Sequence, residues 1–326
     1  MTDDIVTTTS ALTARDRLDH LQARLGLNRM GHKVVPGLYR LGSPDQWSPV
    51  LVSANYSLSF DALRSSLAGT DCYILVLDTK GVNVWCAAGK GTFGTEELIH
   101  RIEVTGLDKV VEHRQLILPQ LGAPGVAAHQ VKRSTGFSVS YGPIRATDLK
   151  EYMRTGKATP EMRRVTFPWR ERAVLTPVEV MLSLKYLIPV SIILFLIAGT
   201  LGALASVVAV LGGAVLFPLL LPHLPTSDFS SKGLILGALL SLPFIAKITL
   251  DGNVSGLALV FLVPAVALVM SSVVGYMALN FTGCTTYTSR TGVRKEIFRW
   301  IPVMVALLII GLSMLAISGA MYWRWF

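Results

Sequence analysis

The residues best suited to chemistry in this chain are its three cysteines and one compact run, Asn83-Val84-Trp85-Cys86-Ala87-Ala88-Gly89-Lys90. Cys72, Cys86 and Cys284 lie far apart, so neither a CxxC pair nor zinc-ribbon or iron–sulfur spacing can be built from them. No extracellular disulfide framework is indicated either. Cys86 stands out by its place. It follows a β-rich run, Cys72–Leu77, after the turn Asp78-Thr79-Lys80-Gly81, and ligands of doubly wound sheets bind outside the carboxyl ends of strands. Asn83 can cap a short helix, and Gly89 and Gly91 can end it. Cys86 then falls in the first turn, where unpaired amides and the macrodipole favour a thiolate. Such a thiolate is a nucleophile, a redox thiol or a soft metal ligand. A redox role needs a resolving cysteine, and Cys72 sits at the other end of the strand. A hydrolytic role needs a histidine partner, and no elbow motif surrounds Cys86. What is left is ligation of a metal already held by another group, beside the commonest fate of a lone cysteine, which is packing.

The elements that must position these residues follow from pattern. Residues 1–47 are polar, with Arg/Asp alternation over Ala14–Leu27 that suggests a short amphipathic helix, and they read as an N-terminal arm. From 48 to 156 apolar runs alternate with helical periods. Pro49–Ser53, Cys72–Leu77, Leu116–Leu118 and Phe137–Tyr141 read as strands; Ser57–Leu67, Thr95–Ile102, Gly125–Val131 and Ala146–Met153 read as helices. This alternation predicts βαβ units and a mostly parallel sheet. Continuous rather than alternating strand hydrophobicity fits a sheet covered on both faces.

The charges divide the chain further. Residues 1–181 hold 22 Lys/Arg and 18 Asp/Glu, whereas residues 182–326 hold only 8 and 3. The mean hydropathy is +0.51. A soluble part is therefore joined through a basic linker, 157–181, to a transmembrane part, 182–326. Five apolar stretches, about 182–199, 200–222, 233–250, 256–278 and 300–322, approach the ~20 residues that a crossing needs. The first two are parted only by Gly199–Gly202, so four spans is the alternative count. Arg163, Arg164, Arg170 and Arg172 precede the first span, and Arg290, Arg294, Lys295 and Arg299 lie between the last two. With five spans both groups share one face, which the positive-inside rule makes cytoplasmic. The acidic start, Met1-Thr-Asp-Asp, does not read as a signal peptide, and the tail Trp323-Arg-Trp-Phe326 is expected at the outer interface. No basic stripe with interleaved aromatics is present, which argues against nucleic acid.

The octapeptide Asn83–Lys90 resembles, at every position, the signature of the mercury-methylating corrinoid proteins (the HgcA family). Residues 48–155 also resemble the corrinoid-binding domain of the corrinoid iron–sulfur protein of one-carbon metabolism, through Ser53-Ala-Asn-Tyr56, Leu118-Pro-Gln-Leu-Gly-Ala123 and Tyr141-Gly-Pro-Ile-Arg-Ala146. Asn280-Phe-Thr-Gly-Cys-Thr-Thr-Tyr-Thr-Ser289 is similar to the former family's membrane part. The resemblance implies a Rossmann-like doubly wound domain holding a cobalamin-type corrinoid, followed by an all-α transmembrane domain of about five helices in the cytoplasmic membrane. It implies Cys86 as the lower axial ligand of cobalt, strongly donating and so able to polarise the opposite methyl–cobalt bond towards Hg(II). The chain lacks cluster cysteines, so the implied electron donor is a separate ferredoxin-like protein with two [4Fe–4S] clusters, and the methyl source is a methyltetrahydrofolate-dependent system.

Other candidates each have a plain alternative. Asn83 and Lys90 could bond the corrin side chains, or cap a helix and stay solvated. Thr79 and Asn55, at strand ends, could line the corrin or make turns; Gly122 could admit the ligand closely or form a turn. Val84, Trp85, Ala87, Ala88 and Gly89 join the set through the octapeptide. His100, His113 and His129 read as surface or packing residues, and Cys284 as structural. Lys185, Lys232 and Lys247 lie near span ends, Lys247 being the candidate for a buried polar role. Two further functions compete with mercury methylation: a corrinoid methyl carrier of one-carbon metabolism without a need for the thiolate, and a transporter with a regulatory domain. The spans hold few acidic groups and no clear inverted repeat, which speaks against the transporter.

Overall fold

A computed structural model describes residues 5–28, 30–285 and 290–323. The chain forms two compact units, 1–166 and 167–326.

The first unit is built on a six-stranded sheet of order β1-β2-β4-β3-β5-β6. Its strands are β1 Val6–Thr8, β2 Gly37–Leu41, β3 Val50–Ala54, β4 Cys72–Leu77, β5 Gln115–Leu118 and β6 Ser138–Tyr141. All neighbouring pairs are parallel except β2 with β4. Around them run α1 Ala14–Arg24, α2 Ser57–Ser66, α3 Val84–Lys90, α4 Thr95–Val104, α5 Leu107–Val110, α6 Ala128–Thr135 and α7 Leu149–Thr155. Strand β4 shows why its run reads as continuously apolar. Tyr73, Leu75 and Leu77 pack with Phe93, Leu98, Ile102, Val131 and Phe137 on one face. Cys72, Ile74 and Val76 pack with Phe60, Leu63, Leu149 and Tyr152 on the other. Both faces are covered, as in a doubly wound sheet.

The first 47 residues do more than the arm expected of them. Polarity hid β2, whose Leu38, Tyr39 and Leu41 are buried and whose antiparallel register against β4 extends the sheet. Helix α1 starts with a capping box between Thr13 and Asp16. It turns its polar side inward: Asp16 meets Arg64 Nη2 at 2.8 Å, His20 Nε2 meets Asp61 at 2.7 Å, and Asp19 accepts from Ser57 Oγ at 2.5 Å while pairing with His32 Nδ1 at 2.7 Å. Of these, Asp16, Asp19, Ser57, Asp61 and Arg64 line a cavity of about 480 Å³ between the N-terminal segment and α2.

The second unit comprises α8 Trp169–Ala173, α9 Thr176–Leu211, α10 Phe217–Leu220 after a π turn at Gly212–Leu216, α11 Phe229–Asp251, α12 Gly256–Phe281 and α13 Arg290–Trp323. The expected linker, 157–181, thus divides between the two units. Four helices are long and apolar enough to cross a membrane: Trp169–Leu220, Phe229–Asp251, Gly256–Phe281 and Thr291–Tyr322. The first has 52 residues, more than twice what a bilayer accommodates, and it is not straight. Gly199 has φ 63° and ψ −156°, a conformation essentially restricted to glycine. Ser191 and Ser206, which would stand roughly 22 Å apart along a straight helix, meet at 2.7 Å through their hydroxyls. Arg172 Nη2 likewise reaches the carbonyl of Leu219 at 3.3 Å. The first apolar helix is therefore broken at Gly199 into two legs, 176–198 and 200–220, that fold back on one another.

Close packing of the legs uses small residues. A Cβ at Gly233 would lie 2.5 Å from Ala278 Cβ, and one at Gly237 would lie 2.5 Å from Ser271 Cα, so the Gly233-xxx-Gly237 spacing seats α11 against α12. Glu296 closes one end of the bundle by accepting the amides of Phe229 and Ser230, both at 3.1 Å. Lys247 is not buried as expected: it is 60% exposed and pairs with Asp251 one turn on at 2.7 Å. The motif around Cys284 runs into residues 286–289, which lie outside the described residues together with the Cys284 side chain, Met1–Asp4 and residues 324–326 of the tail.

Candidate functional site

The sheet changes winding direction at β3. From β3 the chain crosses through α2 to β4, and from β4 it returns over the opposite face to β5, on the far side of β3. The crevice above the carboxyl ends of β3 and β5 is thus the switch point where such sheets take ligands. Helix α3 lies there, packed against β3 and against the 3₁₀ turn Gln120–Gly125 that follows β5.

Asn55 is the residue that organises this edge. It ends β3 and is 1% exposed. Its Oδ1 accepts from Thr79 N at 3.1 Å, Thr79 Oγ1 at 2.9 Å and Gly81 N at 3.0 Å, and its Nδ2 donates to Asp78 at 3.2 Å. Thr79 Oγ1 also lies 2.6 Å from the carbonyl of Val82. The polar atoms of Asn55 and Thr79 are therefore spent on the loop that launches α3. A second anchor, which sequence reasoning missed, is Glu97: it accepts Asp78 N at 2.8 Å while Arg101 Nη2 holds it at 2.8 Å. Burial raises the Asp78 carboxyl, but the hydrogen bonds and charge of Lys80 outweigh it and hold the group below the usual carboxylate range.

Helix α3 forms as its sequence dictates. Asn83 Oδ1 accepts Cys86 N at 2.9 Å as an N-cap, and Gly91, at φ 85°, ends the helix left-handed. Ala87 and Ala88 are buried and seat the helix, Val84 packs on the core, and Trp85 is half-buried. Asn83, Gly89 and Lys90 are exposed and Cys86 is half-buried, so the outward stripe of α3 carries the thiol. A Cβ at Gly89 would meet nothing within 4 Å.

Gly122 serves a close approach, but to protein: a Cβ there would lie 2.5 Å from the Phe93 ring, and one at Gly125 would lie 2.1 Å from Phe93 O. Phe93 is fully buried, and its amide and that of Thr92 both donate to Ala87 O at 3.2 and 3.0 Å. The pair Thr92–Phe93 thus pins α3 to the turn after β5. The signal available in sequence was the run of glycines Gly89, Gly91 and Gly94 around it. Thr92 Oγ1 is buried without a hydrogen-bond partner, which is uncommon for a buried hydroxyl.

The remaining candidates lie elsewhere. Cys72 is fully buried at the opposite end of β4, and burial, helped by Asp71, pushes its thiol up to about 12. The six residues of β4 alone separate it from the α3 loop by roughly 17 Å, beyond disulfide reach. His113 Nε2 donates to Ser48 O, 2.8 Å away at the amino end of β3, and His100 and His129 are exposed. Among the described residues no three His, Cys, Asp or Glu side chains converge into a metal-holding cluster. Cys86, half-buried on α3 beside this edge, is a single soft donor, and one donor would suit only a metal already held by another group.

Comparison with known proteins agrees with this reading at a coarser level. The family model described as CO dehydrogenase/acetyl-CoA synthase delta subunit matches residues 25–153. The acetyl-CoA decarbonylase/synthase complex subunit gamma of Methanopyrus kandleri is 37% identical over 127 residues, 38% of this chain and 27% of that protein. Its counterpart in Methanocaldococcus jannaschii is 30% identical over 146 residues, 44% of this chain and 28% of that protein. The corrinoid/iron–sulfur protein large subunit of Moorella thermoacetica is 29% identical over 129 residues, 39% of this chain and 28% of that protein. The chain spans about a quarter of the length of these curated relatives, and the matched family region lies in the first unit. That unit is related to corrinoid-protein sequences.

Proposed function

We propose that this chain is a membrane-anchored corrinoid methyltransferase in which Cys86 is the lower axial ligand of cobalt and inorganic Hg(II) is the methyl acceptor. The observation that carries the reading is the presentation of Cys86 on the outward stripe of α3, above the switch point of a sheet related to corrinoid proteins. A bound corrinoid would supply the methyl group on its cobalt, and the protein tunes that centre through its ligand. Cys86 is held at the first turn of α3 by the Asn83 cap. Asn55, Thr79 and Glu97 position the helix from below, and Phe93 fixes it against the turn holding Gly122. Asn83 and Lys90 face outward, where they would meet the corrin periphery. A thiolate is a strong donor and favours release of a methyl group to an electrophile such as Hg(II). Electrons come from a ferredoxin-like protein with two [4Fe–4S] clusters, and methyl groups from a methyltetrahydrofolate-dependent system.

The second reading, a corrinoid methyl carrier of one-carbon metabolism, draws support from the relatives, which are subunits of acetyl-CoA decarbonylase/synthase complexes and a corrinoid/iron–sulfur protein. Cys86 favours the first, because a carrier has no evident use for a thiolate ligand. In both readings the five legs anchor the protein. Arg172, Arg294 and Arg299 belong to the end at which Leu219, Asp228 and Glu296 meet their partners, which the positive-inside rule makes cytoplasmic.

Two measurements test this. Full-length protein loaded with cobalamin is expected to show a thiolate-ligated cobalt spectrum that Cys86→Ala abolishes; a spectrum indifferent to the substitution overturns the axial assignment. Deleting the gene from its host is expected to eliminate methylmercury formation from inorganic mercury, and undiminished formation turns the choice to the carrier.

A further inference from the structure

Helix α1 is built the opposite way round from an ordinary surface helix. Its acids are consumed inside: Asp16 by Arg64 and the Thr13 amide, and Asp19 by Ser57 and His32. His20 likewise turns inward to Asp61. What remains outside is apolar and cationic. Leu18 is 55% exposed, Leu21 54%, and beyond the helix Leu27 is 46% and Met30 58% exposed. Arg15, Arg17 and Arg24 flank them, all exposed, and no exposed residue of α1 is acidic. The spacing Ala14, Leu18, Leu21, Leu25 is a single helical stripe, continued by Leu27 and Met30.

We infer that this face of α1 docks on an anionic lipid surface. Four large apolar side chains bordered by three arginines and no acid are the composition of a helix that lies in a membrane interface, its leucines among the acyl chains and its guanidinium groups at phosphates. Each arginine near an anionic leaflet adds favourable energy. A lipid surface is the occupant that this pairing of leucines with arginines matches, and the same chain carries four helices apolar enough to cross a membrane, which would keep a bilayer at high effective concentration. The inference rests on the membrane anchorage alone and is independent of what the first unit binds.

The experiment uses the full chain in nanodiscs of phosphatidylcholine alone or of phosphatidylcholine with phosphatidylglycerol, read by amide hydrogen exchange. Exchange of the Ala14–Arg24 amides is expected to slow about tenfold or more in the anionic discs relative to the zwitterionic ones, with the difference shrinking at high salt. The double variant Leu18→Glu/Leu21→Glu is expected to lose that protection, while the β4 amides remain as protected as before and so report an intact sheet. Equal exchange in the two bilayers overturns the inference. So does protection that follows protein concentration rather than lipid, which would mean a second copy covers the face.

Discussion

The first unit is tied together by single side chains with every bond spent, and His32 is the clearest case. It is 3% exposed; Nδ1 faces the Asp19 carboxylate at 2.7 Å and Nε2 faces the Leu27 carbonyl at 2.6 Å. A carbonyl only accepts, and so does an ionised carboxylate, so both ring nitrogens donate and the imidazole is charged. Burial works against that charge, but the hydrogen bonds to Asp19 and Leu27 win and raise the group above its usual 6.5. Asp19 is lowered below 3.8, its burial being outweighed by Ser57 and His32. The signs follow. His32 contributes its full stability below about 6.5 and loses it as pH rises through the raised value; Asp19 contributes above about 3.8 and loses it as pH falls through the lowered one. The stability of the first unit, followed by urea unfolding, is therefore expected to decline from neutral to mildly alkaline pH. In His32→Gln that decline should flatten; parallel curves for the two proteins would contradict the charged assignment. The same segment touches the site, since Ser57 N donates to His32 O at 3.1 Å and Val34 N to Asn55 O at 2.9 Å.

At the scale of elements, the placement of α3 depends on the turn after β5. Gly122 and Gly125 are glycines because Phe93 and Ala88 occupy the space a side chain would need. Gly122→Ala would drive a methyl into the Phe93 ring, an overpacking expected to cost about 1–3 kcal/mol. Shortening the ring in Phe93→Leu is expected to cost stability by itself yet to recover part of the loss when combined with Gly122→Ala. A double-mutant cycle by denaturant unfolding measures the coupling; strict additivity would show that the ring is not what Gly122 accommodates. Because α3 carries Cys86, Gly122→Ala is also expected to weaken any axial thiolate signal without altering the thiol itself. The short helix earns its position from this packing: seven residues form no stable helix alone.

At the scale of the whole molecule, the break at Gly199 bears on the number of crossings proposed above. If each of the two legs it separates crosses the bilayer, the apolar half has five crossings and its ends are expected on opposite sides; were 176–220 one continuous helix, four crossings would put the ends on the same side. Gly199→Val cannot adopt φ 63° and ψ −156°. Reporter fusions before residue 167 and after residue 323 are expected to lie across the membrane from one another in the parent. In the variant the expected outcome is mixed or same-side topology with reduced yield. Opposite sides in both proteins would mean that the turn is made elsewhere. Ser191→Ala is expected to be far milder, since its hydroxyl bond to Ser206 only fastens two legs already apposed.

The division into a charged and an apolar half was legible from charge density alone, because a bilayer and water select composition directly. Strand β4, helix α2 and the Asn83-capped helix were legible too, since run length, period and caps are local properties. The sequence pattern could not show β2, whose burial comes from its partner β4 and not from its own polar surroundings. Nor could it separate ligand contact from support at Asn55, Thr79 and Gly122, because their partners, Gly81, Val82 and Phe93, are brought to them only by the fold. The inversion of α1 belongs to the same class. Its periodicity marked an amphipathic helix, and the buried Arg64 and His32 decided which face turned in.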